Sequence, residues 1–162
     1  LVMAGYYRNP EASAEAGKFG WHHTCDIGFL DEDGYLYIVD RKRDMIISGG
    51  FNVYPSDLEQ VLCAHPDVKE VAAVGMPSER WGETPLAFVV LRDGATATAA
   101  ELLAWANGRL GKIQRLSAVE LLDALPRSEI GKVMKRELRD AYRARARGQM
   151  PGDPHGTGVS GT

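Results

Sequence analysis

Cysteine is scarce in this chain. Only Cys25 and Cys63 occur among the 162 residues, one before an aspartate and one inside an apolar helical pattern. That leaves no disulfide framework and no cysteine spacing for a metal, and it fits a reducing, cytoplasmic setting. His22 and His23 are no substitute, because neighbours on an extended segment point to opposite faces and no third ligand is spaced nearby; no metal site is expected. Positive charge is not in excess either. Lys and Arg total 19 against 22 Asp and Glu, so there is no footprint for nucleic acid and any anion must be bound locally. No apolar run approaches the length of a membrane span, and no internal repeat is visible.

What is present is an ordinary globular composition, 44% hydrophobic and 25% charged, with enough chain to bury a core. Asn9-Pro10-Glu11 turns into a short helical stretch through Ala16. Residues 27–30 and 35–40 read as strands around the hairpin signal Asp31-Glu32-Asp33-Gly34. Residues 45–48 form an apolar strand punctuated by Gly49-Gly50, and Asn52 to Tyr54 stay extended before Pro55. Pro55 opens a helix over 56–64 with Leu58, Val61 and Leu62 on one face. The valine-rich runs 68–76 and 85–91 read as paired strands. Thr98 with Glu101 is a capping box, starting a helix whose inner side carries Leu102, Leu103, Trp105 and Leu110. A strand over 116–122, a helix over 133–147 and a glycine- and proline-rich tail complete the pattern. Strands and helices mix without strict alternation, so the expected class is α+β, a small mixed sheet with covering helices. Trp81 and Trp105 are expected to serve packing.

Chemistry concentrates in Leu125-Pro126-Arg127-Ser128-Glu129-Ile130-Gly131-Lys132-Val133-Met134-Lys135-Arg136. An apolar segment ends at proline, a polar turn offers Lys132 behind a glycine, and a cationic helix follows, a way to present an ammonium to a phosphate or carboxylate. Taken alone, such a lysine is more often a solvated surface residue. The segment is not a Walker loop, because Pro126 stands where the first glycine is required and Val133 replaces the hydroxyl residue.

Two more segments accompany it. One is Gly20-Trp21-His22-His23-Thr24-Cys25-Asp26-Ile27-Gly28 with Asp31-Glu32-Asp33-Gly34-Tyr35-Leu36-Tyr37. The other is Asp40-Arg41-Lys42-Arg43-Asp44-Met45-Ile46-Ile47-Ser48-Gly49-Gly50-Phe51-Asn52-Val53-Tyr54-Pro55. In this order, the three resemble the C-terminal signature motifs of the adenylate-forming enzymes, the superfamily of acyl-CoA synthetases, peptide-synthetase adenylation domains and firefly luciferase, over about Gly5 to Tyr142. The resemblance implies a residue-by-residue assignment. Lys132 bridges carboxylate and α-phosphate during adenylation and is the catalytic candidate. Asp26, which by its residues alone could equally be a turn aspartate, accepts the ribose hydroxyls of the nucleotide, and Arg41 also reaches the ribose. Arg43 occupies the hinge position, where the family usually has aspartate or lysine. Ser48, Gly49 and Gly50 line the tunnel through which the pantetheine of CoA arrives. The family's usual Thr-Gly-Asp is here Thr24-Cys25-Asp26, which places a side chain where the backbone normally passes close.

The same resemblance implies a division of the chain. Residues 1–40 would close a large N-terminal domain, 41–44 form the hinge, 45–147 form a C-terminal lid and 148–162 a disordered tail. The chain begins without an initiator methionine on apolar residues, and the expectation is a fragment of a ligase that makes acyl-AMP from a carboxylic acid and ATP, then the CoA thioester. ATP with Mg²⁺ and CoA are the implied cofactors, with the Mg²⁺ ligands in the missing domain. The implied partners are the acid, ATP, CoA and that domain, with homodimerisation left open. The segment Met45 to Pro55 resembles bacterial fatty-acid and aryl-acid CoA ligases more than the luciferases. Two alternatives stay open, a free-standing nucleotide-binding or regulatory module and the adenylation domain of another adenylate-forming enzyme.

Overall fold

The computed structural model of the chain describes residues 3–146. The expected tail at 148–162 and the last residue of the final helix as read from the sequence, Arg147, lie outside the described residues. The fold divides into a small N-terminal part and a larger α/β body.

The N-terminal part holds α1 (Pro10–Ala16), a short 3₁₀ turn and a two-stranded antiparallel sheet of β1 (Asp26–Leu30) and β2 (Leu36–Arg41). The Asn9 side chain accepts from Ala12 N–H to cap α1, and proline starts the helix. Between the strands, Asp31 accepts the amides of Asp33 and Tyr35 and Gly34 takes φ +85°, a conformation glycine adopts without a Cβ clash. The register of this hairpin sets Asp26 opposite Arg41.

The larger body is a mixed sheet. β5 (Val68–Ser78) and β6 (Gly82–Leu91) pair antiparallel along their whole length. The opposite edge of β6 is shared, by β3 (Ile46–Ser48) at Gly82 and by the parallel strand β7 (Ala118–Leu121) along Leu86 to Val89. β4 (Phe51–Val53) extends the sheet from β3. Both faces of the central pair are buried, as the continuous apolar runs require. One face joins Ala73, Ala87 and Val89 to Leu58 and Leu62 of α2 (Pro55–Cys63) and to Leu102 and Ala106 of α3 (Ala99–Asn107). The other joins Ala72, Val74, Met76, Leu86, Phe88 and Val90 to Leu125 and to Leu138 and Tyr142 of α4 (Lys135–Ala146). This is the small mixed sheet with covering helices that the pattern predicts. Every member of both clusters lies at or beyond Ile46.

Departures from expectation include those at the β5–β6 turn and at the start of the last helix. β5 runs on to Ser78 and β6 starts at Gly82, leaving Glu79 to Trp81 as the turn; Pro77 is tolerated because β5 is an edge strand whose missing donor costs no ladder bond. The last helix begins at Lys135 rather than Val133, because Val133 bridges Arg127 and Met134 N–H donates to the Pro126 carbonyl at 2.8 Å.

Candidate functional site

Asp26 and Arg41 come together through the β1–β2 register. Their side chains stand 3.6 Å apart, Asp26 about one-third exposed and Arg41 about two-thirds. Thr24 Oγ1 accepts Asp26 N–H at 3.2 Å, and the Cys25 carbonyl accepts Lys42 N–H at 2.9 Å, closing the start of β1 onto the end of β2. Between them Cys25 is held at φ +63°. The left-handed conformation explains why a glycine would suit this position, and a cysteine here carries about 1–2 kcal/mol of backbone strain. Asp26, Arg41, Cys25, His22, His23 and Arg43 line an open cavity of about 790 Å³ to which α1 also contributes wall residues. An ionised two-oxygen acceptor beside a planar five-donor cation is suited to a ligand that combines hydroxyls with negative charge.

Arg43 lies in a tight turn in which Asp44 and Met45 N–H groups both donate to the Arg41 carbonyl, at 3.0 and 3.2 Å. The flanking aspartates tie this connection to the body. Asp40 accepts Ser56 N–H at the start of α2 at 3.0 Å, and Asp44 lies 4.0 Å from Arg139 on α4. The carboxylate of Asp40 at a helix start also meets the positive end of its dipole. Nothing in the sequence marked Asp40, since its partner is sixteen residues away.

Gly49 and Gly50 form the two-residue turn of the β3–β4 hairpin, with φ +58° and +83°. Positive φ at both positions is what a type I′ hairpin turn demands. Gly49 N–H donates to the Trp81 carbonyl at 2.8 Å, and a Cβ built on Gly49 would meet the Trp81 ring at 2.9 Å. The indole lies across bare backbone, half exposed, with Arg80 4.7 Å above its ring. Trp81 does pack, as expected, but it packs on the glycine turn rather than in a core. Trp105 packs between α2 and α3, donating to the Val61 carbonyl at 3.4 Å and lying edge-on to His65.

Lys132 is exposed at the end of a polar turn that Arg127 and Val133 close. Ser128 holds the turn from both sides, donating N–H to the Lys132 carbonyl at 2.9 Å and accepting Lys132 N–H on its hydroxyl at 3.2 Å. Gly131 takes φ +79° and donates to the Ser128 carbonyl at 2.8 Å. The Arg127 guanidinium donates to the Gly131 carbonyl at 2.6 Å and to Glu70 on β5 at 2.5 Å. Among the described residues the Lys132 ammonium enters no ion pair, whereas its neighbour Lys135 is engaged with Glu59 at 2.8 Å. Lys132 is not among the residues that line the Asp26–Arg41 cavity. The structure therefore joins Asp26, Arg41 and Arg43 around one cavity and leaves Lys132 on a separate surface.

Among the described residues no cluster of three or more His, Cys, Asp and Glu could hold a metal ion, and no helix is long and apolar enough to cross a membrane.

Residues 57–132 match the family model of the AMP-binding enzyme C-terminal domain, and the chain belongs to the AMP-binding, adenylate-forming enzymes through that domain. Its relatives include acid–CoA ligases. It is 48% identical over 85% of its length to a 2-succinylbenzoate–CoA ligase of Geobacillus kaustophilus, covering 28% of that protein. It is 47% identical over 89% of its length to a long-chain-fatty-acid–CoA ligase of Escherichia coli, covering 26% of it. Among solved structures, ATP-bound MatB from Rhodopseudomonas palustris superposes with a TM-score of 0.82 at 39% identity, over 88% of this chain and 28% of that one. The chain thus spans little more than a quarter of the length of the relatives it matches.

Proposed function

We propose that this chain is the C-terminal part of an ATP-dependent acid–CoA ligase. The observation that carries the reading is the pairing of Asp26 with Arg41 at 3.6 Å on the wall of a cavity, in the same chain as an exposed lysine that follows a glycine turn. The motif order and the names of the relatives support it. In this reading residues 1–40 complete a larger domain, 41–44 are the hinge and 45–147 are a lid.

A carboxylate oxygen of the acid attacks the α-phosphorus of ATP, the bond to the β-phosphate oxygen breaks, and pyrophosphate leaves. Two anions approach in that step, so a positioned ammonium lowers their repulsion, and Lys132 supplies it. Asp26 accepts the ribose hydroxyls and Arg41 donates beside it, fixing the nucleotide. Mg²⁺ is assigned to the N-terminal domain, and when bound it neutralises phosphate charge. In the second step the CoA sulfur attacks the acyl carbon and AMP leaves. The bare turn at Ser48, Gly49 and Gly50 suits passage of the pantetheine arm, because side chains there would narrow it. Rotation about Arg43 exchanges the two surfaces, one carrying Lys132 and the other the glycine turn. Fatty or aryl acids are the substrate class, and a cytoplasmic setting supplies ATP and CoA.

ATP–pyrophosphate exchange tests the proposal. The isolated chain is expected to show none, because the triphosphate and acyl sites are assigned to the N-terminal domain. The full-length protein is expected to exchange in a carboxylate-dependent way. Exchange by the isolated chain, or its absence from the full-length protein with a panel of fatty and aryl acids, contradicts the proposal.

A further inference from the structure

Packing does little to hold the turn that carries Lys132. Glu129, Ile130, Gly131 and Lys132 are all exposed, Ile130 at 77%. The buried anchors Leu125 and Leu138 lie outside the hairpin that Arg127 and Val133 close, and the partly buried Val133 packs against the core at its base. The bonds from Gly131 and Lys132 to Ser128 fix the internal shape of the turn. They do not fix the direction of its tip relative to the sheet, which Val133 anchors only at the base. Among the described residues, the only side chain between Arg127 and Lys132 that bonds to another element is Arg127 itself. One guanidinium nitrogen donates to Glu70 and another to the Gly131 carbonyl, the residue immediately before the lysine. Glu70 is fixed in turn by the ladder of β5 and β6, where it stands opposite Val90.

We infer that Arg127 and Glu70 are a positioning pair that aims Lys132, so that adenylation depends on a carboxylate 57 residues away in the chain. The inference rests on the role given to Lys132 above. Magnitudes separate this from an incidental surface ion pair. Arg127 and Glu70 are 44% and 32% exposed, so the pair adds little to stability. A displacement of about 1 Å at a reacting group, by contrast, costs roughly 100-fold in rate. A single contact that is weak for folding and strong for catalysis is the signature of a positioning residue. The planar fork matters as much as the charge, since a lysine ammonium cannot hold the carboxylate and the carbonyl in one fixed geometry.

The test measures both half-reactions in the full-length ligase, with Lys132→Ala as reference. Arg127→Ala and Glu70→Gln are expected to lower the rate of acyl-adenylate formation by about 10- to 100-fold. Thioester formation from supplied acyl-adenylate is expected to stay within about twofold, with KM for ATP little changed. Arg127→Lys is expected to recover part of the loss. In the isolated chain, Arg127→Ala should speed amide hydrogen exchange across 128–132 while β5 and β6 stay protected. Unchanged adenylation in both variants beside an impaired Lys132→Ala overturns the inference, and so does an equal loss in both half-reactions. Intact adenylation in Lys132→Ala instead defeats the role of the lysine. Glu70→Gln keeps the size of the side chain and guards against a fold effect of Arg127→Ala.

Discussion

Cys25 shows how one residue bears on both stability and site geometry. It sits at φ +63° between Thr24 and Asp26, the segment proposed to bind nucleotide, and its carbonyl holds Lys42. Glycine would relieve the left-handed strain at some cost in unfolded-state entropy, so Cys25→Gly is expected to stabilise the chain by about 0.5–1 kcal/mol net. Urea denaturation checks this, and a lower midpoint at unchanged slope would show that the thiol contributes packing that outweighs the strain. The departure from Thr-Gly-Asp was legible in the sequence, and its physical meaning became visible with the backbone angle. Gly49-Gly50 was legible for a related reason, since a glycine pair between apolar segments signals a turn needing positive φ twice. What the sequence concealed was the other side of each contact. Trp81 covers Gly49 from 32 positions on, and Glu70 holds Arg127 across an even wider gap, distances over which no local spacing rule operates.

At the scale of elements, local rules served well where they were self-contained. Thr98 Oγ1 accepts Glu101 N–H and Glu101 reaches back to Thr98 N–H at 2.8 Å, the capping box expected for α3. Thr98→Ala is expected to cost about 1 kcal/mol, read from the shift in urea midpoint. The box also gives α3 a pH dependence. The Thr98 backbone N–H, and after it the Thr98 hydroxyl, hold the Glu101 carboxyl below its ordinary value. A lowered folded value means the contribution is present above the ordinary carboxylate range and is lost as pH falls through the folded value. Glu101→Gln should therefore flatten the acid limb of the stability profile, and an unchanged acid limb would count against the box. The Cys63 thiol at the end of α2 moves the other way, pushed up first by burial and then by Glu59. The start of α4 was misplaced because the cationic run looks helical from Val133, whereas the bridge to Arg127 claims that residue for the turn. The strand ends at Ser78 and Gly82 were missed because proline at Pro77 reads as a break unless the strand is known to be an edge.

Across the whole molecule, burial is distributed unevenly. Both core clusters lie at or beyond Ile46, while the β1–β2 hairpin exposes Phe29, Leu30, Leu36 and Ile38 to solvent, each more than half. A two-stranded hairpin is marginal by itself, whereas the body has a sheet covered on both faces. Residues 45–146 alone are therefore expected to unfold cooperatively with nearly the midpoint of the full chain, measured by circular dichroism in urea. A broad or missing transition would mean that the N-terminal part supplies essential packing. The same asymmetry agrees with the proposed hinge at 41–44, where the connection is a turn held by Asp40 and Asp44 rather than by a core. The sheet class was readable from valine-rich runs and capped helices. The parallel pairing of β7 to β6 was not, because strand order depends on long-range burial rather than on periodicity.

The central claim is that the Lys132 ammonium serves one half-reaction, and separating the two halves in the full-length Lys132→Ala variant tests it most directly. Carboxylate-dependent ATP–pyrophosphate exchange should fall by about 100-fold or more, while supplied acyl-adenylate is still converted to thioester at close to the parent rate. Equal loss of both steps, or undiminished exchange, would contradict the account.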